Sequence, residues 1–139
     1  MDQRFDIGII GAGTAGFAAA EAAAAAGLRL VIVSGPGDLG GTCILRGCMP
    51  AKTLLSSTER LGDVDAAAGV GVRTEHAHVD IPAIINRKRE LVDYFAEDRR
   101  HDLERFPLMR GRARFTAPDA IEVAGRRIPT GRTERQANS

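Results

Sequence analysis

An excess of charge of either sign is missing from this 139-residue chain: 19 basic side chains face 18 acidic ones, for a formal net charge of +1. No whole-chain field therefore points to nucleic acid or to an anionic membrane surface. Lysine is scarce, Lys52 and Lys88 being the only two, so the basic side is almost all arginine. Aromatic residues make up only 4% of the chain. The arginine-rich stretch RGRAR at 110–114 thus has no stacking platform beside it, and arginines at alternate strand positions read as a solvent face rather than a nucleic-acid surface. Two cysteines are too few for the bridged framework of a small secreted domain. The first apolar run, IGII, is short and interrupted by glycine, unlike a signal peptide. The alanine-rich stretch at 15–33 is broken by Glu21, Gly27 and Arg29 and falls short of the roughly 20 apolar residues of a membrane span. These absences predict a cytoplasmic protein of one domain, with no membrane or nucleic-acid partner.

What is present is organised. RFDIGII at 4–10 has a strand-like apolar core and runs straight into glycines. Thr14 to Ala26 is alanine-rich and helix-favouring, Gly27 suits a helix C-cap, and LRLVIV at 28–33 is a second β-branched run. Strand, tight turn, helix and strand within about 30 residues predict a βαβ unit over 4–33 and an α/β, Rossmann-like architecture with a parallel sheet. SGPGDLGG is a loop, and a cysteine-bearing segment follows over 40–61, helical from Pro50 to about Leu61. Residues 69–73 are a short strand candidate. Asp80 is placed to cap a long amphipathic helix over 80–105, with Ile84, Ile85, Leu91, Val92, Phe95 and Leu103 at helical spacing. Short strands are expected at 108–115 and 120–124, around a turn at Pro118 and Asp119. After Ile128 no apolar residue exceeds alanine apart from Pro129, which predicts a disordered tail over 129–139.

GAGTAG at 11–16 matches G-x-G-x-x-G, a weak pattern alone that gains weight from the strand before it and the helix after it. Gly11 would make the tight turn, the amides at the start of the helix would receive a pyrophosphate, and small residues, with Ala15, Ala18 and Ala19 beyond the glycines, would let helix and strand approach. The acidic residue such a site uses for a ribose is missing. Its position is held by Ser34, with Asp38 the nearest acid, and a serine cannot offer the paired acceptors of a carboxylate.

Cys43 and Cys48 stand five positions apart in GGTCILRGCMPAK. A redox disulfide, half of a metal site and two packed thiols are all open readings. Five helical steps separate two Cα atoms by at least roughly 7.5 Å, too far for a disulfide, so a bridge requires a break in the helix, which Gly47 can supply. Pro50 suits the first turn of the helix that follows, and Lys52, four residues after Cys48, is a cation that lowers a thiol pKa.

The glycine turn followed about 25 residues later by G-G-T-C-x4-C-x-P-x-K resembles the flavin-dependent pyridine nucleotide-disulfide oxidoreductases, the group of dihydrolipoamide dehydrogenase, glutathione reductase and mercuric reductase. Weaker similarity continues through ARF and PDAIEVAGRRI at 113–128. The resemblance implies an FAD-binding portion over 1–128 in which NAD(P)H reduces FAD, FAD reduces a Cys43–Cys48 disulfide, and the dithiol reduces a small-molecule or lipoyl disulfide. It implies that Cys43 is the interchange thiol and Cys48 the flavin-side thiol. Gly11, Gly13 and Gly16 would hold the FAD pyrophosphate, Gly41 and Thr42 would line the flavin phosphates and ring, and Lys52 would lie near the flavin. A homodimer is also implied.

The family pattern extends beyond this sequence. Its A-T-G strand, its NAD(P)-binding domain and its interface domain, which brings an acid–base histidine and glutamate from a partner subunit, have no counterpart here. His76, His78 and His101 are the only histidines, none in that context. Where a hydrophobic strand is expected the sequence reads PTGRTERQANS, so the chain reads as a truncated or frame-shifted form with an uncovered sheet edge. Two rival readings are a non-catalytic FAD-binding fragment and a zinc module built from Cys43, Cys48, His76 and His78; the oxidoreductase reading otherwise expects no metal.

Overall fold

A computed structural model describes residues 4–135, with side chains described through Gly131. The chain forms two compact units, one made of the residues up to Gly41 together with those from Glu97 onward, the other of Thr42–Ala96.

The first unit opens with the expected βαβ: β1 (Phe5–Ile10), α1 (Thr14–Ala25) and β2 (Leu30–Ser34). The two strands are parallel, in register from Ile7 opposite Leu30 to Ile10 opposite Val33. Helix α1 buries Gly16, Phe17, Ala20 and Ala23, so small side chains let it close on the sheet. Four consecutive residues of β2 are buried because both of its faces are covered. Leu30 and Ile32 join Ile9, Phe17, Ala20 and Leu103 on the helical side. Val31 and Val33 join Phe5, Ile121, Val123 and Ile128 on the other. At about 25 cal/mol per Å², each such fully buried side chain contributes roughly 1.5–3 kcal/mol.

The second face is covered by a β-meander. Strand β3 (Leu108–Arg110) adds parallel to β2, β4 (Ala113–Ala117) pairs antiparallel with β5 (Ala120–Val123), and β6 (Arg126–Arg135) pairs antiparallel with β5 before continuing parallel to β1. The six-stranded order is β3-β2-β1-β6-β5-β4, an α/β sheet in which three of the pairings are parallel.

Three sequence expectations fail here. The single strand at 108–115 is two strands of different direction, because Gly111, at φ 150°, bends the chain between them. Residues 69–73 form no strand: Ala67–Val70 is a 3-10 turn closed by Gly71 at φ 86°, and Val70 and Val72 are exposed without a neighbouring strand. The tail expected over 129–139 is strand as far as Arg135, and its last four positions lie outside the described residues. With β6 beside it, β1 has a neighbour on each side, and the edge predicted there is covered. Composition misleads at β6 because a parallel ladder is made by main-chain groups, which a polar residue supplies as well as an apolar one. Close approach does the rest: Thr130 is fully buried, its Cγ2 3.0 Å from where a Cβ on Gly8 would sit, and a Cβ on Gly131 would lie 2.9 Å from the Asp6 carbonyl oxygen.

The second unit is helical. Following α2 (Gly41–Leu45), it holds α3 (Cys48–Ala66) and the greater part of α4 (Ile81–Glu104). The Asp80 cap is as expected, Oδ1 accepting from the Ala83 amide at 2.9 Å. Within this unit Leu54, Leu61, Val64, Val79, Ile81 and Ile84 line an apolar groove of about 620 Å³. No helix among the described residues is long and apolar enough to cross a membrane.

Candidate functional site

In the first unit the glycine turn has the geometry its spacing predicts. Gly11, at φ 115°, turns the chain out of β1 while its amide donates to the Val33 carbonyl at 2.8 Å, tying the turn to the end of β2. Gly13 is the N-cap of α1, its carbonyl accepting from the Phe17 amide at 2.9 Å. No side chain caps that helix and no acidic residue occupies its first turn. Gly41 completes the arrangement: its φ is 71° and a Cβ built on it would lie 2.6 Å from Gly13 Cα. Two backbones thus touch without side chains between them, at a helix start that carries no acidic residue to repel an anion. These features fit a bound diphosphate.

Helix α1 is held at its first turns from α4 and the residues after it. The Arg99 guanidinium lies 3.8 Å from the centre of the Phe17 ring, Phe106 meets the same ring edge-on at 6.2 Å, and Arg105 pairs with Glu21 at 2.6 Å. Ser34, where an acid was sought, ends β2 half-buried, and its carbonyl accepts from the Gly111 amide at 2.9 Å.

The thiol pair lies in the second unit. Thr42 accepts at its carbonyl from both Arg46 (2.9 Å) and Gly47 (2.7 Å), which closes α2. Gly47, at φ −114° and ψ −105°, is then not helical, and Cys48 opens α3. The break in the helix that a bridge requires is therefore at Gly47. Adding a Cβ there would place it 3.1 Å from the Thr42 carbonyl oxygen, so the fold-back is tight. Pro50 falls in the first turn of α3, as expected. Behind it, buried Thr53 donates from Oγ1 to the Met49 carbonyl at 2.9 Å, and Arg87 Nη1 donates to the Thr53 carbonyl at 3.3 Å.

Both cysteines are free, Cys43 half-buried and Cys48 exposed, so they are not two core thiols. They interact directly. The side-chain hydrogen bond to Cys43 pushes the Cys48 thiol above its ordinary value, with desolvation and the Cys43 charge adding to the rise. The Cys48 amide and the Lys52 charge pull the other way and are outweighed. The expectation from Lys52 alone, a lowered thiol, is corrected for the dithiol: the neighbouring Cys43 thiol acts more strongly than an exposed ammonium four residues along a helix.

The structure thus brings Gly11, Gly13, Gly16 and Gly41 together, with Ser34 at the next strand end, and separately Cys43 with Cys48, Lys52 following on the same helix. Thr42 acts through its carbonyl. Sequence reasoning missed Arg99, Arg110, Thr53 and Arg87, whose partners lie 34 to 82 positions away with no spacing signal to join them. His76 and His78 line the apolar groove, and His101 Nδ1 lies 3.4 Å from Glu104. Among the described residues no three His, Cys, Asp or Glu side chains could hold a metal ion, so the zinc set of Cys43, Cys48, His76 and His78 is not assembled.

A mostly parallel sheet with a glycine turn leading into α1 places the chain in the class of Rossmann-like dinucleotide domains. The chain belongs to the pyridine nucleotide-disulphide oxidoreductase family, whose sequence pattern matches residues 5–130. It is similar to dihydrolipoyl dehydrogenase of Chlamydia muridarum (strain MoPn / Nigg), with 39% identity over 92 residues, 66% of this chain and 20% of that protein. Mercuric reductase of Lysinibacillus sphaericus is 31% identical over 134 residues, 94% of this chain and 24% of that enzyme. Mercuric reductase of Streptomyces lividans is 36% identical over 124 residues, 86% of this chain and 26% of the relative. The chain spans 20% to 26% of the length of these curated relatives.

Proposed function

We propose that this chain is the FAD-binding and disulfide-bearing portion of an NAD(P)H-dependent oxidoreductase, with Cys43 and Cys48 as its redox pair. The observation that carries the reading is the non-helical Gly47 between α2 and α3, the break that sets Cys43 and Cys48 on the ends of two separate helices. A break there lets two cysteines five positions apart approach, whereas regular helix would hold them apart.

FAD, when bound, supplies a route by which an electron pair from a reduced nicotinamide reaches the disulfide. This chain's residues do the remainder. Gly11, Gly13, Gly16 and Gly41 make the backbone cradle for the diphosphate, and the start of α1 stabilises its charge. Reduction breaks the S–S bond, takes two electrons and two protons, and leaves one thiol on each cysteine; reoxidation by a disulfide substrate reverses it. In the dithiol, Cys43 favours the proton on Cys48 Sγ; Cys43 as the sulfur that meets substrate is supported by the family resemblance. Thr42 and Lys52 flank the pair, Lys52 favouring whatever thiolate forms on Cys48. A small-molecule or lipoyl disulfide as substrate and a homodimeric assembly belong to the same proposal, supported by the resemblance to dihydrolipoyl dehydrogenase.

The test is a flavin spectrum of the purified protein with thiol counting before and after reduction by dithiothreitol. We expect flavin absorbance that survives gel filtration and two thiols that appear only on reduction. Colourless protein after addition of FAD, with both thiols free under air, refutes the reading.

A further inference from the structure

The segment that bears the two thiols carries cations and no acid. Between Asp38 and Glu59 the chain has Arg46 and Lys52 and not one aspartate or glutamate. Both cations are exposed, and neither joins an ion pair among the described residues. The Arg46 amide donates to the Thr42 carbonyl at 2.9 Å, so the helical turn that begins with α2 runs on to Arg46. Cys43 and Arg46, three positions apart on that turn, therefore stand on one face, at a spacing that sets Cβ atoms about 5–6 Å apart. Lys52 follows Cys48 by four positions on α3, and its charge reaches the Cys48 thiol. Each cysteine thus has one such cation a helical turn beyond it, and Cys48 is itself exposed.

A charged substrate feels those cations during exchange. The Cys43 thiolate attacks one sulfur of a disulfide R–S–S–R, forming the Cys43 mixed disulfide and releasing R–S⁻; Cys48 then attacks the Cys43 sulfur, closing the Cys43–Cys48 bond and releasing the second R–S⁻. The dithiol gives up two electrons and two protons, and both protons end on the two R–SH. Each attack spreads negative charge over three sulfurs, and carboxylates on R add more of it in the same small volume. A guanidinium beside Cys43 offsets that repulsion and pairs with a carboxylate through two parallel hydrogen bonds. A cationic disulfide meets repulsion from the same group, with no acid in the segment to receive it. We propose that the Cys43–Cys48 site takes disulfides whose arms carry carboxylates in preference to neutral or cationic ones, and that Arg46 sets the preference. The inference rests on the redox-pair reading of the two cysteines and names the class of substrate that pair receives.

Exchange of the reduced 139-residue chain with dithiodipropionate, hydroxyethyl disulfide and cystamine compares a dianion, a neutral molecule and a dication of matched arm length. Each rate of Cys43–Cys48 bond formation is divided by the rate of the same disulfide with dithiothreitol, which removes the reagent's intrinsic reactivity. At low salt we expect the normalised rate of the dianion to exceed that of the neutral disulfide by roughly threefold to tenfold, with the dication slowest, and about 1 M salt to erase the order. Arg46→Gln should lose most of the preference while leaving the neutral disulfide within about twofold and the circular dichroism spectrum unchanged, and Arg46→Lys should restore part of it. Arg60→Gln, which removes an exposed cation further along α3, should keep the preference. Equal normalised rates for the three disulfides in the wild-type chain, or equal loss in the Arg46 and Arg60 variants, overturns this inference alone. Failure of the reduced chain to form the Cys43–Cys48 bond with any of the three overturns the redox-pair reading and this inference together.

Discussion

Gly41→Ala is the substitution on which the backbone-to-backbone contact can be judged. A methyl group on Gly41 would sit 2.6 Å from Gly13 Cα, roughly 1 Å inside the about 3.5 Å at which carbon atoms attract. The obstacle is main chain, so no rotamer change relieves it. The φ of 71° adds a second cost, because an L side chain in the left-handed region loses about 1–2 kcal/mol. Overpacking of this kind costs about 1–3 kcal/mol, so the total is about 2–5 kcal/mol. Gly27→Ala separates the two effects: Gly27 has the same φ of 71° and nothing within 4 Å of its added Cβ. It should cost only the conformational part. With a urea m value of about 1–3 kcal/mol per molar, the extra loss in Gly41→Ala should lower its unfolding midpoint below that of Gly27→Ala by up to about 1–2 M. FAD binding should fall in Gly41→Ala and persist in Gly27→Ala. If the two variants unfold at the same denaturant concentration, the close approach is not a constraint and the cradle argued from it fails.

Further outcomes follow from other contacts. Cys43→Ala removes the first cause of the raised Cys48 thiol and leaves Lys52 in place, so the midpoint of the pH profile of Cys48 alkylation should move down; an unmoved midpoint refutes the pairing. Arg29 hydrogen bonds hold the Asp6 carboxyl below its ordinary 3.8. A lowered folded value means the stabilisation is whole above the unfolded pKa and lost as pH falls through the folded one. The stability difference between wild type and Asp6→Asn should therefore be flat above about pH 5 and shrink below about pH 4, as read from denaturation midpoints across that range. Leu103 is fully buried against α1 and the sheet, so Leu103→Ala should cost about 2–5 kcal/mol in the same assay, and a loss under about 1 kcal/mol would show that the site is not close-packed.

Local rules carried much of both units. The βαβ elements, the glycine turn, the Asp80 cap and the break at Gly47 each depend on a few adjacent residues, and each is where the sequence places it. Prediction failed where the decisive neighbour is distant. Residues 129–135 are polar enough to read as a tail, yet their backbone completes the ladder to Phe5–Ile10. Gly69 and Gly71 sit among valines that suggest a strand, and no strand lies alongside to pair with them.

The amino-acid sequence by itself determined the class of this protein: glycines at 11, 13 and 16 after a strand, and GGTCILRGCMPAK with its two cysteines, are constraints that backbone geometry and thiol chemistry impose on contiguous residues. The tertiary structure decided what those residues experience. It set Gly41 against Gly13, placed Arg110 at the exit of β2 beside Ser34, and brought Cys43 close enough to raise the Cys48 thiol in spite of Lys52. Close approach and electrostatic influence both depend on distance in space, and a linear sequence specifies such distances only through the fold.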